Sequence, residues 1–229
     1  MLLAKTGCVR QMVPHMITSQ NNLSPDRLAE AVERLCAREP RFIAVVERHG
    51  LPSLRPMAGG VEGLLLTVTE QFLSLKAAAV IWQRLHARLS PFSPQAILEC
   101  PHSELQQLGL SAAKARSFHA IALAVKEQRF QPDVLPDLDD DTVRTHLLSL
   151  VGVGPWTAEI YLLAALQRCD AWPAGDLALQ LAAADLFGLA SRPDAKAMMA
   201  VGAPFAPVRA VAARLLWSHY RGLKGMQQA

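Results

Sequence analysis

Apolar positions recur along this chain at intervals of three and four residues, and alternation at period two is nearly absent. The pattern predicts helices throughout and almost no strand. The first clear example opens at Ser24-Pro25-Asp26, which reads as a cap, a first-turn proline and a first-turn acid, and continues with Leu28, Val32 and Leu35 at helical spacing. A short helix is expected from Pro40 to about Arg48, ended by Gly50. Two more are expected over residues 61–73 and 75–89, with Ser74 as a cap between them and Pro91 as the stop. Ser111 can cap an amphipathic helix from Ala112 to Gln128, and Asp139, Asp140 and Asp141 place negative charge where a helix start attracts it. Connections are short, and neither an internal repeat nor a Gly/Ser linker is visible. The fold class that follows is all-α.

The helical pattern breaks at Leu150-Val151-Gly152-Val153-Gly154-Pro155. A helix from Asp141 to Leu150 and another from Pro155 to Leu166 would be joined there by a hairpin whose two glycines permit positive φ or close backbone approach. Pro155 suits a first helical turn, and the free N–H groups of such an end, together with the helix dipole, favour an anion such as a phosphate. A Gly-Val-Gly tripeptide taken alone is equally an ordinary turn.

Composition narrows the class. With 229 residues, 51% apolar and 19% charged, the chain can bury the core of one large domain or two small ones, and its 28 Gly and Pro are scattered. A disordered, collagenous or low-complexity chain is excluded. Cys8, Cys36, Cys100 and Cys169 lie 28, 64 and 69 residues apart, without CxxC pair or zinc-ligand rhythm, so a reducing, cytoplasmic setting is expected. No apolar run reaches the length of a membrane span, and the opening stretch with Lys5, Arg10, Pro14 and His15 lacks the compact apolar core of a signal peptide. The net charge of +3 is unevenly spread. Residues 195–229 carry Lys196, Arg209, Arg214, Arg221 and Lys224 and no acid, whereas residues 133–141 carry Asp133, Asp137, Asp139, Asp140 and Asp141. A basic face opposed to an acidic one suits a polyanion such as DNA, although solvated helix faces would give the same distribution.

The segment Leu150-Val-Gly-Val-Gly-Pro-Trp-Thr-Ala158, followed by Pro173-Ala-Gly-Asp176, resembles the helix-hairpin-helix and Gly/Pro-Asp signature of the DNA base-excision glycosylases. Within them it is most similar to the alkylbase branch, DNA-3-methyladenine glycosylase II. Glu70-Gln-Phe-Leu-Ser-Leu-Lys-Ala-Ala78 resembles that branch's Gly-Gln-Gln-Leu-Ser-Val-Lys-Ala-Ala helix boundary, and Phe205-Ala-Pro-Val-Arg-Ala-Val-Ala-Ala-Arg-Leu-Leu-Trp217 resembles its Trp-x-Pro-x-Arg…Leu-Trp end. The likeness spans residues 55–221 in the right order. It implies two helical subdomains with an active-site cleft between them: residues 60–168 as the middle subdomain ending in the hairpin motif, and residues 1–59 joining the helices of residues 169–229. The β domain at the start of larger members is not expected. Nor is an iron–sulfur centre, because the C-terminal four-cysteine cluster of the endonuclease III relatives is lacking.

By the same resemblance, Asp176 is the catalytic carboxylate, stabilising positive charge on the sugar as the N-glycosidic bond breaks. An Asp after Gly is also a common helix cap, and the two roles are compatible. Trp156 stands where bifunctional relatives have a nucleophilic lysine; an indole offers no such nitrogen but can stack on a flipped, cationic base. Trp217 is a second candidate pocket wall, and Tyr161 and Trp172 are further candidates, each with core packing as the alternative. Phe72 falls at the wedge position, where an apolar side chain fills the gap left in the duplex, with a core Phe as its alternative. Gln71 and Ser74 would contact the opposite strand or the backbone, and Gly152, Gly154 and Thr157 would meet DNA at the hairpin. The carbonyls of Leu148, Leu150 and Val153 would bind a monovalent cation, Na+ or K+, bridging to a phosphate, and no other cofactor is required. The implied protein is a monomeric, monofunctional glycosylase that excises 3-methyladenine-type bases from double-stranded DNA, with no membrane partner. A deaminated- or oxidised-base range on the same scaffold, a non-catalytic DNA-binding module and a helical adaptor remain the alternatives.

Overall fold

The computed structural model describes residues 22–225, so Cys8 and the opening stretch with Lys5, Arg10, Pro14 and His15 lie outside the described residues. Within them the chain is all-α, with one isolated bridge between Asn22 and Arg168 as its sole strand-like pairing. Among the described residues no single helix is long and apolar enough to cross a membrane.

The first two helices are α1 (Pro25–Arg38), capped by Ser24, and α2 (Arg41–His49), closed by Gly50 at φ 72°. Then follow α3 (Gly60–Glu70), α4 (Leu75–Arg88), α5 (Pro94–Glu99), α6 (His102–Gln107) and α7 (Ala112–Lys126). A 3-10 segment over Pro132–Asp137 leads to α8 (Asp140–Leu148), whose cap Asp139 accepts the Asp141 and Thr142 N–H groups. Next is α9 (Pro155–Ile160), which runs into a π-helical turn over Tyr161–Ala165. The chain ends with α10 (Leu177–Leu186), α11 (Ala195–Gly202) and α12 (Arg209–Leu223). Helices α1 and α2 pack against α12, which also packs on α10, whereas α3 packs with α4, α7 and α9, α7 with α5 and α6, and α8 with α9. The N-terminal helices thus share a lobe with the C-terminal ones, and the middle of the chain forms the other.

One apolar core runs through both lobes, with Leu35, Phe42, Leu64, Phe118, Leu162 and Leu215 fully buried in it. Two buried arginines add polar joints to this core, the first within the middle lobe and the second between the lobes. Arg168 donates from Nη2 to the Pro136 and Leu138 carbonyls at 2.9 and 2.8 Å, and its Nε lies 3.3 Å from Asp140. Arg214 of α12 donates to the Leu163 carbonyl at 3.0 Å and to Gln167 at 3.3 Å, reaching the π turn. Burial pushes the Arg214 guanidinium down to about 10.

Where expectation and structure differ, the cause is local. α3 stops at Glu70 rather than residue 73, because Phe72 takes a left-handed φ of 58° and turns the chain. The helix begun at Pro155 widens into a π turn over its second half. The helices α5 and α6 carry no sequence expectation, since six residues are too few to show a 3.6-residue repeat.

Candidate active site and nucleic-acid face

The turn Pro173-Ala174-Gly175 delivers Asp176 to the N-cap of α10, where its Oδ1 accepts the Leu179 N–H at 2.9 Å. Two tryptophans complete its shell. Trp217 of α12 donates its indole Nε1–H to the same Oδ1 at 3.0 Å, and Trp156 of α9 donates its own to Oδ2 at 2.9 Å. Cap and cleft carboxylate are therefore one residue. Each carboxylate oxygen has two acceptor sites: both of Oδ1 are taken, and Oδ2 keeps one open. Asp176, Trp156 and Trp217 are all half-buried, so this open site lies within reach of a ligand entering from solvent.

The other two aromatic candidates are not pocket walls. Tyr161 is 0% exposed, donates its hydroxyl to the Gly60 carbonyl at 3.3 Å, and has its phenol pushed up to about 12 by burial. Trp172 is 2% exposed, donates Nε1–H to the Met198 carbonyl at 2.9 Å, and lies so close to Gly202 that a Cβ there would sit 2.5 Å from its ring. Both rings serve the core, because a fully buried ring has no free face for a base.

The hairpin between α8 and α9 is pinned against α7. Gly152 adopts φ 84°, and a Cβ built on it would fall 1.9 Å from Ser117 Oγ, so this turn requires glycine on both counts. Gly154 is different: its φ is −103°, and nothing stands within 4 Å of where its Cβ would be, which leaves the α9 start open to an approaching group. Gln71 uses both amide hydrogens on the hairpin, donating to the Gly152 carbonyl at 3.0 Å and to Thr157 Oγ1 at 2.8 Å. Thr157 itself is 2% exposed. The side chains of Gln71 and Thr157 thus join the hairpin to the end of α3 instead of standing free for DNA.

That junction presents Phe72. Lys114 of α7 donates Nζ to the carbonyls of Thr69 and Gln71, at 2.8 and 2.6 Å, which fixes the last turn of α3. Phe72 then projects at 103% relative exposure, with Leu73 also exposed beside it, so the alternative of a core Phe is ruled out. Ser74 is the exposed N-cap of α4, accepting the Ala77 N–H at 3.2 Å. Of the three hairpin carbonyls, that of Leu150 accepts the Val153 N–H at 3.2 Å, which leaves one of its lone pairs unused. Neutral carbonyl oxygens of this kind suit a hard monovalent cation.

The role of Lys114 carries no sequence signal, and burial lowers the pKa of its amine. Three further ionisable groups, Glu70, Arg55 and Arg221, act on one another. Burial raises the Glu70 carboxyl while the Arg55 guanidinium works in the opposite direction, and Arg221 is lowered by burial and by Arg55. Two surface hollows, beside Arg88–Glu99 and Val125–Val134, include none of these groups.

A helical fold in which a glycine hairpin leads into the helix whose tryptophan grips a cleft aspartate is the architecture of helix-hairpin-helix DNA repair proteins. The chain belongs to the HhH-GPD superfamily of base excision DNA repair proteins, whose sequence pattern matches residues 65–206. It is 27% identical over 194 residues to the alkylbase DNA glycosidase-like protein mag2 of Schizosaccharomyces pombe, covering 82% of this chain and 91% of that protein. It is 29% identical over 207 residues to the probable bifunctional transcriptional activator/DNA repair enzyme AlkA of Mycobacterium tuberculosis, covering 86% of this chain and 40% of that protein. Among solved structures, a DNA-3-methyladenine glycosidase from Bacillus halodurans matches with a TM-score of 0.72 and 26% identity, over 89% of this chain and 93% of that one. The Schizosaccharomyces pombe 3-methyladenine DNA glycosylase Mag1, in complex with abasic DNA, matches with a TM-score of 0.69 and 25% identity, over 82% and 95%.

Gly152→Ala should cost stability through both φ strain and the Ser117 contact, about 2–4 kcal/mol in a urea titration. Adding Ser117→Gly removes the clash and leaves the strain, so the double variant should recover part of the loss. Strictly additive losses would show that the two residues do not meet.

Proposed function

We propose that this protein is a monofunctional DNA glycosylase that removes alkylated bases of the 3-methyladenine type from duplex DNA by hydrolysis. The observation that carries the reading is the Asp176 carboxylate, half-buried and held by N–H donors from three helices with one acceptor site left open. A module that only bound DNA would have no use for a carboxylate facing the nucleic acid, where its charge repels phosphate. The alkylbase and 3-methyladenine activities in the names of the relatives supply the lesion class.

The chemistry follows from that geometry. Phe72, exposed at the end of α3, fills the stack as the damaged nucleotide rotates out. The faces of Trp156 and Trp217 receive a base that is cationic by virtue of its alkyl group. The C1′–N bond breaks with its electron pair going to the base, and positive charge develops at C1′ and the ring oxygen. The fixed negative charge of Asp176 opposes that charge, and its open Oδ2 site accepts a hydrogen bond from the incoming water. Water adds to C1′ and passes its proton through the Asp176 carboxylate to solvent, leaving an abasic sugar and the neutral alkylated base. The carbonyls of Leu148, Leu150 and Val153 would hold Na+ or K+, whose charge offsets a DNA phosphate at the hairpin.

Two side chains support a reaction without an imine. Trp156 has no nucleophilic nitrogen, and Lys114 spends its Nζ on the Thr69 and Gln71 carbonyls. Asp176→Asn should therefore keep affinity for an abasic-analogue duplex within a few-fold while base release from a methylated duplex falls on the order of a hundredfold, read by mass spectrometry of the freed base. Release within a few-fold of the parent would reduce Asp176 to a cap. Borohydride added during turnover should trap no protein on the DNA, and the strand should stay whole until heated in alkali. A covalent adduct in good yield would end the monofunctional reading.

A further inference from the structure

Asp176 is held from one side by Trp156 on α9 and delivered from the other by its own loop, and these two supports meet a second time at Glu159. Glu159 lies one turn beyond Trp156 on α9, and its Oε2 accepts the backbone N–H of Trp172 at 2.7 Å. Trp172 opens the stretch Trp172-Pro173-Ala174-Gly175 that leads to Asp176. Local bonds keep that stretch compact: the Ala174 N–H donates to the Trp172 carbonyl at 2.8 Å, and the Asp176 N–H donates to the Pro173 carbonyl at 2.9 Å. Helix α9 and the Asp176 loop are therefore joined twice, by the Trp156 indole on the carboxylate at 2.9 Å and by Glu159 on the Trp172 N–H. A shift at either joint displaces the other.

Glu159 is itself fixed from the opposite side. Arg144 of α8 donates Nε to its Oε1 at 2.5 Å and Nη2 to its Oε2 at 3.4 Å, and reaches Asp141 with Nη1 at 2.9 Å. The Arg144 and Glu159 side chains are only 24% and 15% exposed, so this pair is largely withdrawn from water. Both Glu159 oxygens carry a donor, a role that an amide with its single oxygen cannot fill. Helix α9 depends on such a fixture. It has six residues, no side-chain cap at Gly154, and a π turn directly after Ile160, so its own backbone does little to set where Trp156 points. The loop is better anchored, because Trp172 is buried, donates Nε1–H to the Met198 carbonyl at 2.9 Å and packs on Gly202. Through Glu159 the fixed position of Trp172 is passed to α9.

We infer that Glu159 is a positioning residue of the active site: it ties α9 to the loop that carries Asp176 and thereby sets the Trp156–Asp176 hydrogen bond that aims the carboxylate. A buried ion pair is weak grounds for stability in itself, since the attraction only offsets the loss of water. What connects this pair to the site is the Trp172 N–H on the second oxygen, a bond that an ion pair between α8 and α9 would not need. The inference rests on the reading that Asp176 drives base release.

The test uses two variants that break the same ion pair. Glu159→Gln sets an amide NH2 where one of the oxygens meets a donor, whereas Arg144→Gln removes the guanidinium and leaves the carboxylate on the Trp172 N–H. Single-turnover release of 7-methylguanine from a duplex should fall about tenfold or more in Glu159→Gln, with affinity for a tetrahydrofuran duplex kept within a few-fold, and should fall no more than about threefold in Arg144→Gln. In a nitrogen–proton correlation spectrum recorded without DNA, the Trp156 indole resonance, assigned by its loss in Trp156→Phe, should move in Glu159→Gln while that of Trp82 on α4 stays. Melting temperatures separate lost stability from lost position. Equal loss of release in the two variants overturns the inference, as does a Trp156 indole that does not move. Should Glu159→Gln fail to fold, Glu159→Asp, which keeps the charge and draws the oxygens back by one methylene, takes its place with the same expected losses. If the unaltered protein releases no methylated base, the functional reading falls, and the indole resonance alone decides whether Glu159 sets the Trp156–Asp176 bond.

Discussion

Everything at the cleft depends on holding one carboxylate in place with donors drawn from three helices. The Leu179 N–H comes with the cap of α10, but the two indoles arrive from α9 and α12, which belong to different lobes. The lobes must therefore meet in a fixed register, and buried polar joints supply it. Arg214 lies on the same helix as Trp217 and fastens α12 to the π turn that follows α9, so the elements bearing the two tryptophans are bonded to each other as well as to Asp176. The cost is a guanidinium kept in the interior on carbonyl and amide acceptors alone. Tyr161 and Trp172 belong to this supporting structure: their polar ends lock onto the Gly60 and Met198 carbonyls and keep the surrounding helices from sliding.

A second network couples the glycine hairpin to the exposed Phe72. Ser117 and Lys114 lie on one helix, α7; the first packs on Gly152 and the second fixes the end of α3. Gln71 then bridges the two. The hairpin and Phe72 are consequently held at a set distance from each other, and the left-handed φ at Phe72 is maintained by bonds on both sides instead of by the side chain itself.

Much of this was legible in the chain. Caps at Ser24, Ser74, Ser111 and Asp139 announce their helices because each depends on a local oxygen meeting an N–H two or three residues on. The hairpin glycines and the Pro-Ala-Gly-Asp turn are equally local, and Asp176 could be singled out from them. The indole bonds to Asp176 could not, since they join residues 20 and 41 positions apart. Gln71 and Thr157 show the limit of reading roles from position: both lie where the hairpin meets the end of α3, and their side chains are spent on each other and on the Gly152 carbonyl. Tyr161 and Trp172 fail as pocket walls for a related reason: nothing in linear order tells which side of an apolar helical turn, or of the loop that carries Trp172, faces the core.

If Asp176, held by Trp156 and Trp217, acts as fixed negative charge against a developing sugar cation, a charged mimic of the sugar should bind better than a neutral one. The most direct measurement compares affinity for two abasic duplexes, one with a cationic pyrrolidine in place of the sugar and one with neutral tetrahydrofuran. The unaltered protein should bind the cation on the order of tenfold or more tightly, and Trp156→Phe with Trp217→Phe, which removes both indole donors and keeps aromatic bulk, should erode that difference. Equal affinity for the two analogues in the unaltered protein would contradict the account.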